Sequence, residues 1–453
     1  MQLDHVDVAI IGAGNVGIAV AYYLVKQHGA QRITLVDPRD PMSLTSAQSG
    51  ENYRNWWSHP TMTAFTDHSI SLMEALDRES GGRLNMTRGG YVLATRRQRP
   101  QDLIDNLYRG YGREPGLIRF HEAAAGDYRP PQRTPWSQAP LGVDVLLDQG
   151  LIRTTFPTLD PEIRTVLHVR RAGSISAQQM GQVMLEAIRA AGGSVRRAKV
   201  RGISAGAPFR LELQSDQGTA TLKADRIVNA AGPYLRDIGR MLGDEPPVHN
   251  VYQQKISFED RLGAIPRTLP FTIDLDPQQL AWDDGDRELL EANPATRFLT
   301  EPMPGGIHCR PEGAVNGAWV KLGWAYNKAS SDVFAEPPMD PHYPDILLRG
   351  ASRTHAGLKA YIGRLPRGMH HYGGYYTMTP ENWPLIGRTN VPGAFIAGAL
   401  SGFGSMAACA TGALCAAWIN GAPIPDYARA LSGDRHADAR LMQELVALDK
   451  GAL

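Results

Sequence analysis

The stretch VAIIGAGNVGIAVAYYL, residues 8–24, constrains this chain more than any other. The apolar run over 6–11 predicts a buried parallel strand, and 18–25 predicts a helix. Between them lies G-x-G-x-x-G, a pattern that carries meaning only in such a setting. Gly12 permits the tight turn, Gly14 lets backbone approach a pyrophosphate, and Gly17 lets helix and strand pack closely. Asn15 and Val16 lie in the turn as cofactor-binding candidates, and the helix N-terminus presents unpaired N–H groups and a partial positive charge to the phosphates. A second strand over 32–36 ends at Asp37, about twenty residues past Gly17, where a ribose-binding carboxylate belongs. That acid would repel a 2′-phosphate and so argues against NADP. The competing reading is a tight glycine turn with no ligand.

A chain of 453 residues has room for two or three domains, or for one two-lobed enzyme. A net charge of +1 offers no basic field to a nucleic acid. Cys309, Cys409 and Cys415 show no paired spacing, and no metal site is expected. Cys409 and Cys415 fall in a small-residue apolar segment as packed thiols, which suits a reducing cytoplasm. The N-terminus shows no basic leader or cleavage site, and the glycine turn claims its apolar stretch. Residues 394–419 are apolar enough to raise a membrane span. Gly398, Gly402, Gly404 and Gly412 break that run, as do Ser401 and Ser405, so it reads as a buried strand, turn and helix.

The expected fold is α/β, with a Rossmann-like nucleotide lobe in three separated pieces: 1–84, 175–251 and 375–453. The middle piece holds a helix over 177–191, a strand over 195–203, and a hairpin of 209–213 with 219–222 turning at Asp216-Gln217-Gly218. In ADRIVNAAGPY, residues 224–234, Ile227-Val228 reads as a short buried strand. Ala230-Ala231-Gly232 is its small-residue exit, where backbone can approach a ligand. Residues 85–174 and 252–374 carry prolines, aromatic residues and short alternating runs, and predict an antiparallel substrate lobe. There, 90–95 reads as a strand, and 306–310 with 318–324 as a hairpin around Glu312-Gly313. Residues 98–140 read as a partly helical surface insertion.

Four segments together resemble the flavin-dependent D-amino-acid oxidase superfamily, closest to its sarcosine oxidase and glycine oxidase branch. They are the fingerprint with Asp37, TSAQSGENYRNWW over 45–57, ADRIVNAAGPY, and GYYTMTPENWPLIG over 374–387 followed by FIAGALSGFGSMAACATG. The resemblance implies FAD rather than NAD, with a substrate sheet over the flavin. It implies that Ser46, Ser49 and Gly50 lie in the loop over the flavin, and that Val200, Ala231, Gly232, Gly398, Gly402, Phe403, Gly404, Ser405 and Met406 complete the cofactor site. A second helix starting near Ser405 would favour negative charge building at the flavin N1/C2=O.

Lys321 lies mid-strand in WVKLGW, where a lysine needs a polar site or a partner. The resemblance makes it the oxygen-activating cation; the alternative is an edge-strand lysine reaching solvent. Three positions depart from the branch: its histidine four residues on is Ala325, its substrate-contacting tail lysine is Met406, and its flavin-linking cysteine is Gly374. Non-covalent FAD is therefore expected. Arg54 is a candidate carboxylate clamp, with an Arg54–Glu51 pair as the structural alternative. Arg310 could serve as the clamp instead, and His308 should share its face. His308, His370 and His371 are weaker candidates for a base. Tyr53, Trp56, Trp57, Trp319, Trp324, Tyr375, Tyr376 and Trp383 crowd these segments, which suits a substrate larger than glycine.

The expected reaction is FAD-dependent oxidation of a C–N bond in an amino acid or N-alkyl amine. Hydride passes to flavin N5, an imine forms, and oxygen is the acceptor. Alternatives are a dehydrogenase of the same fold passing electrons to a quinone or flavoprotein, a 2-hydroxy-acid oxidoreductase, and a flavin-binding protein without turnover.

Overall fold

Strand β1 (His5–Ile11) leads through the glycine turn into a helix, Asn15–His28, in a computed structural model that describes residues 4–123, 126–132, 136–313 and 316–447. The helix stops where Gly29 turns left-handed: its N–H donates to the Val25 carbonyl, and the Ala30 N–H to the Leu24 carbonyl. β1 pairs in parallel with β2 (Ile33–Asp37) on one side and with the end of β12 (Gly218–Asn229) on the other. Both of its faces are buried, which explains the unbroken apolar run. Val8 and Ile10 meet a helical layer, while Val6, Ala9 and Ile11 meet Phe209, Leu222 and Ile238.

The sheet grows outward from this centre. β9 (Ser194–Arg197) lies parallel beyond β2, and β19 (Ala394–Gly398) lies parallel to the end of β12. β18 (Leu385–Arg388) is antiparallel outside β19. β10 (Lys199–Ser204) and β11 (Phe209–Ser215) add an antiparallel ribbon to the first half of β12. Two sequence expectations change here. The strand expected over 195–203 splits at Ala198, whose N–H is held by the Asp37 carbonyl at 2.9 Å. The chain thereby leaves β2 and joins β11. Conversely, the second hairpin arm and the Ile227-Val228 strand are one continuous strand, because β12 bends from one partner to the next.

A second sheet has nine strands, in the order β17 (His370–Met378), β13 (His249–Glu259), β16 (Trp319–Gly323), β15 (Ile307–Pro311), β14 (Phe271–Asp274), β4 (Tyr91–Thr95), β7 (Thr165–Val169), β6 (Val143–Leu146) and β5 (Ile118–His121). Its pairings are antiparallel except β14 with β4 and β5 with β6. β3 (Asn52–Arg54) and β8 (Ala172–Ser174) form a separate small ladder. β13 starts at His249 and β17 runs to Met378, so this sheet reaches past the expected lobe boundaries at both ends. The 98–140 segment supplies a helix, Gln101–Tyr111, and also the edge strand β5. Residues 124–125 and 133–135 of it lie outside the described residues.

The apolar 394–419 stretch is β19, a turn, and a helix over Gly404–Asn420. That helix packs against Asn15–His28 so closely that a Cβ on Gly412 would press on the Ala19 backbone at 2.5 Å. Among the described residues no helix is long and apolar enough to cross a membrane.

Candidate active site

Gly12 has φ +110°, and a Cβ there would overlap the Ala230 carbonyl oxygen. A Cβ on Gly17 would overlap the Gly12 carbonyl oxygen. Both positions therefore admit only glycine, one for conformation and both for space. Gly14 caps the helix with no side-chain hydrogen bond. Asp37 ends β2 with its carboxylate accepting from the N–H groups of Ala13 and Arg39, each at 2.9 Å. These elements wall a cavity of about 340 Å³ together with Val200, Ala231, Gly232, Tyr234 and Phe334.

Through Gly14, Ser46, Ala230 and Gly232 the cavity continues to an inner chamber. Asn15, Val16, Ser49, Gly50, Lys255, Gly374, Tyr375, Tyr376, Gly398, Gly402, Gly404 and Ser405 line it. Asn15 Nδ2 donates to Ser405 Oγ at 2.8 Å, and Ser405 Oγ shares a second 2.8 Å bond with Ser49 Oγ. Ser46 Oγ accepts from the Asn15 N–H at 3.0 Å. Three distant segments meet there. Gly398 and Gly402 have ordinary backbone conformations; they are needed for close approach, since a Cβ on either would come within 2.6 Å of the Leu235 side chain or the Tyr376 ring. The left-handed residues of this turn are Ala399 (φ +55°) and Ser401 (φ +45°), strain of the kind that collects at binding sites. Phe403 and Met406 turn away from the chamber: Phe403 sits edge-on to Trp57 at 4.9 Å and Met406 joins the core.

The groove fits FAD. A carboxylate stands at one end, two helix N-termini whose own cap residues, Gly14 and Phe403, supply no side-chain cap open on it, and buried Asn15 Oδ1 lacks a hydrogen-bond partner. Residues Gly12 to Gly14, Asp37 and Val200 would hold the ADP half, and the Gly398–Ser405 turn the flavin half.

One face of the nine-stranded sheet lies over the inner end. Register pairs Lys255 with Gly323 and Gly323 with His308; it pairs Ser257 with Lys321 and Lys321 with Arg310. Lys321 is not on an edge. It lies on a central strand, buried, with Nζ 2.5 Å from Glu312 Oε1 and 3.4 Å from the Ser49 carbonyl. Burial pulls its pKa down, Arg310 adds to that, and Glu312 opposes both. Ser257 Oγ donates to Glu312 Oε2 at 2.5 Å. Burial alone would raise the Glu312 pKa, but Lys321, Ser257 and Arg310 bring it below its ordinary value. Arg310 donates to the Gly50 carbonyl at 2.9 Å and the Pro311 carbonyl at 3.1 Å. His308 is neutral: burial and the nearby cations lower its pKa to about 4, and its ring stacks on Phe271.

Arg54 does not line the groove. Its guanidinium lies 4.6 Å over Trp57 and 5.9 Å from Tyr91, and burial lowers its pKa to about 10. The Arg54–Glu51 pair does not form; Glu51 Oε1 instead accepts from the Ala177 N–H at 3.0 Å. His371 bonds Gln254 Oε1 at 2.9 Å, and His370 packs on Trp319. Of the expected aromatic wall, Tyr375 and Tyr376 line the chamber, whereas Tyr53, Trp56, Trp57, Trp324 and Trp383 are core. Sequence reasoning missed Lys255 and Glu312. Lys255 offered the same signal as Lys321, a lysine inside an alternating strand. A cavity of about 750 Å³ lies elsewhere and is lined by Gln254, which points to the opposite face of β13 from Lys255.

Comparison with known proteins bears on the fold and the family. Human mitochondrial dimethylglycine dehydrogenase is 25% identical over 280 residues, covering 60% of this chain. The match spans only 29% of that protein's length. L-Proline dehydrogenase from P. horikoshii superposes with a TM-score of 0.71 at 16% identity, covering 96% of this chain and 99% of that one. Glycine oxidase from Geobacillus kaustophilus gives 0.68 at 17% identity, with 94% and 98% covered. Iminodiacetate oxidase from Chelativorans sp. BNC1 gives 0.66 at 18% identity, with 92% and 97% covered. Residues 7–418 match the family described as DAO, FAD dependent oxidoreductase. With a groove built for that cofactor, the chain belongs to the DAO family of FAD-dependent oxidoreductases.

Proposed function

We propose that this protein oxidises the C–N bond of an amino acid or secondary N-alkyl amine to an imine, which water then hydrolyses. When bound, FAD supplies the two-electron acceptor. The observation that carries this reading is the sheet face over the groove, where three cations, Lys255, Arg310 and Lys321, stand with one ion-paired carboxylate, Glu312, which reaches Lys321 and Arg310. That excess of positive charge suits a substrate bearing a carboxylate. Among the described residues of this face His308 is buried and weakly basic, and Glu312 is held by Lys321 and Ser257. A neutral amine can give up hydride without a strong base, whereas a 2-hydroxy acid asks for one to take its hydroxyl proton. The named relatives act on dimethylglycine, proline, glycine and iminodiacetate, which supports a carboxylate-bearing amine. All three cysteines are free and buried, which supports a reducing compartment such as the cytoplasm.

Anaerobic mixing with a panel of amino acids, N-methyl amines and 2-hydroxy acids tests this. Amines should bleach the flavin; bleaching by hydroxy acids alone would sink the reading.

Oxygen is the favoured acceptor, with Lys321 stabilising the charge that develops on it. The 2.5 Å pair with Glu312 favours a second reading, transfer to a quinone or flavoprotein, because the pair leaves Lys321 little net charge to offer. Stopped-flow reoxidation separates them. For an oxidase, Lys321→Met should slow reoxidation by about a hundredfold while flavin reduction changes little, and Glu312→Gln should speed it. Equal effects on both half-reactions would remove the oxygen role.

A further inference from the structure

We propose that Lys255 anchors the carboxylate of the substrate, and of any small carboxylate, at the edge of the inner chamber, where the β13–β16 sheet face lies over the flavin half of the groove; this rests on the amine-oxidising reading above. Lys255 sits in the middle of β13 between its register partners Gly323 and Tyr372. It is only 7% exposed, yet it lines the chamber. Its Nζ donates to the Gln48 carbonyl at 3.3 Å and lies 5.6 Å from the Tyr376 ring. Among the described residues no carboxylate pairs with it. An ammonium carries three donors, so most of its hydrogen-bonding capacity faces the chamber without a protein partner. A buried charge left so is costly unless an arriving ligand brings the opposite charge.

The neighbouring cations are engaged elsewhere. Lys321 is ion-paired with Glu312 at 2.5 Å. Arg310 is committed to the Gly50 and Pro311 carbonyls and borders a different cavity. Arg54 is sealed over Trp57. None of the three lines the inner chamber. Gly323 makes room for the anchor: a Cβ there would meet His308 Nε2 at 2.5 Å and Lys255 Cγ at 3.1 Å. The missing side chain is the corridor through which the lysine stem reaches the chamber. Burial lowers the Lys255 pKa to about 8, which keeps it mainly protonated at neutral pH and so able to hold an anion.

The test uses the oxidised FAD-loaded protein without turnover. Acetate, propionate and benzoate, each beside its neutral amide, are titrated while the flavin absorbance is followed. In the wild type the carboxylates should perturb the spectrum at concentrations where the amides do not. Lys255→Met should weaken carboxylate binding by about tenfold or more and leave the amides unchanged; Lys255→Arg should recover most of the loss. Flavin-to-protein absorbance ratios equal to wild type show that each variant is folded and loaded. Unchanged carboxylate affinity in Lys255→Met, equal loss for amides, or a wild type indifferent to all three carboxylates overturns the proposal. The amine-oxidising reading fails separately: carboxylates bind through Lys255 but no amine bleaches the flavin. If amines bleach the flavin and Lys255→Met binds carboxylates normally, only the anchor is lost.

Discussion

Lys255 and Lys321 stand on adjacent strands of one sheet face, yet only Lys321 has a carboxylate against it. The difference gives Lys255 a pH dependence. The groups around it are Tyr372 and Tyr376 on β17, Lys321 on β16, His308 and Arg310 on β15, and Glu312 just beyond. A lysine is charged below its pKa, so anion binding should be full below about 8 and lost above it. In propionate titrations the apparent Kd should rise by about tenfold per pH unit once the pH exceeds that value. A flat profile between about pH 7 and about pH 10 would exclude Lys255 as the titrating anchor.

At the level of elements, the glycine turn and the Ala399–Ser401 turn reach the cofactor groove by different means. The first needs a missing Cβ at Gly12. Gly12→Ala should abolish FAD retention and destabilise the fold by about 2 kcal/mol or more, read by flavin content after purification and by urea unfolding. Phe334 is a second element-scale feature. It is 64% exposed, lines the outer cavity, and packs on Tyr234 at 5.5 Å, with Lys199 Nζ 6.0 Å from its ring. An aromatic ring so placed can stack on adenine. Phe334→Ala should weaken FAD and ADP binding to the apoprotein by about tenfold and leave riboflavin binding unchanged. Isothermal titration measures all three, and equal loss of riboflavin would point to general damage instead.

Across the whole molecule, the last segment is locked to the tail turn by one buried ion pair. Arg435 donates through Nε to Glu381 Oε1 at 2.8 Å, and both residues are 2% exposed. Arg435 also donates to the Pro384 carbonyl at 2.6 Å. Burial pushes the Glu381 pKa up, but Arg435 and hydrogen bonding bring it below the ordinary value. A depressed carboxyl pKa contributes stability above the unfolded pKa, and that contribution fades as pH falls through the folded value. Arg435→Met should destabilise by about 3–5 kcal/mol at neutral pH, because it leaves the buried Glu381 carboxylate with the His436 ring, 3.2 Å away, in place of a fixed cation. The deficit should shrink in acid, where Glu381 takes up a proton. Urea unfolding of both proteins at neutral and acid pH checks magnitude and sign together.

The sequence alone determined the elements whose signal is local. Gly12, Gly14, Gly17 and Asp37 announce a dinucleotide turn because backbone sterics and strand burial leave few other uses for that spacing. The apolar 394–419 stretch could be read as strand, turn and helix from its glycines, although their reason proved to be close approach rather than φ. Lys321 was legible as a buried lysine, but its ion pair with Glu312 was not, since the two meet across a hairpin rather than along a helix or strand. Arg54 misled for the same reason: its loop position says nothing about the aromatic seal of Trp57 and Tyr91. Lys255 became distinct only once three strands were in register and the cations beside it were seen to be engaged. Which charge is left free is a property of all its neighbours, and only the tertiary structure assembles them.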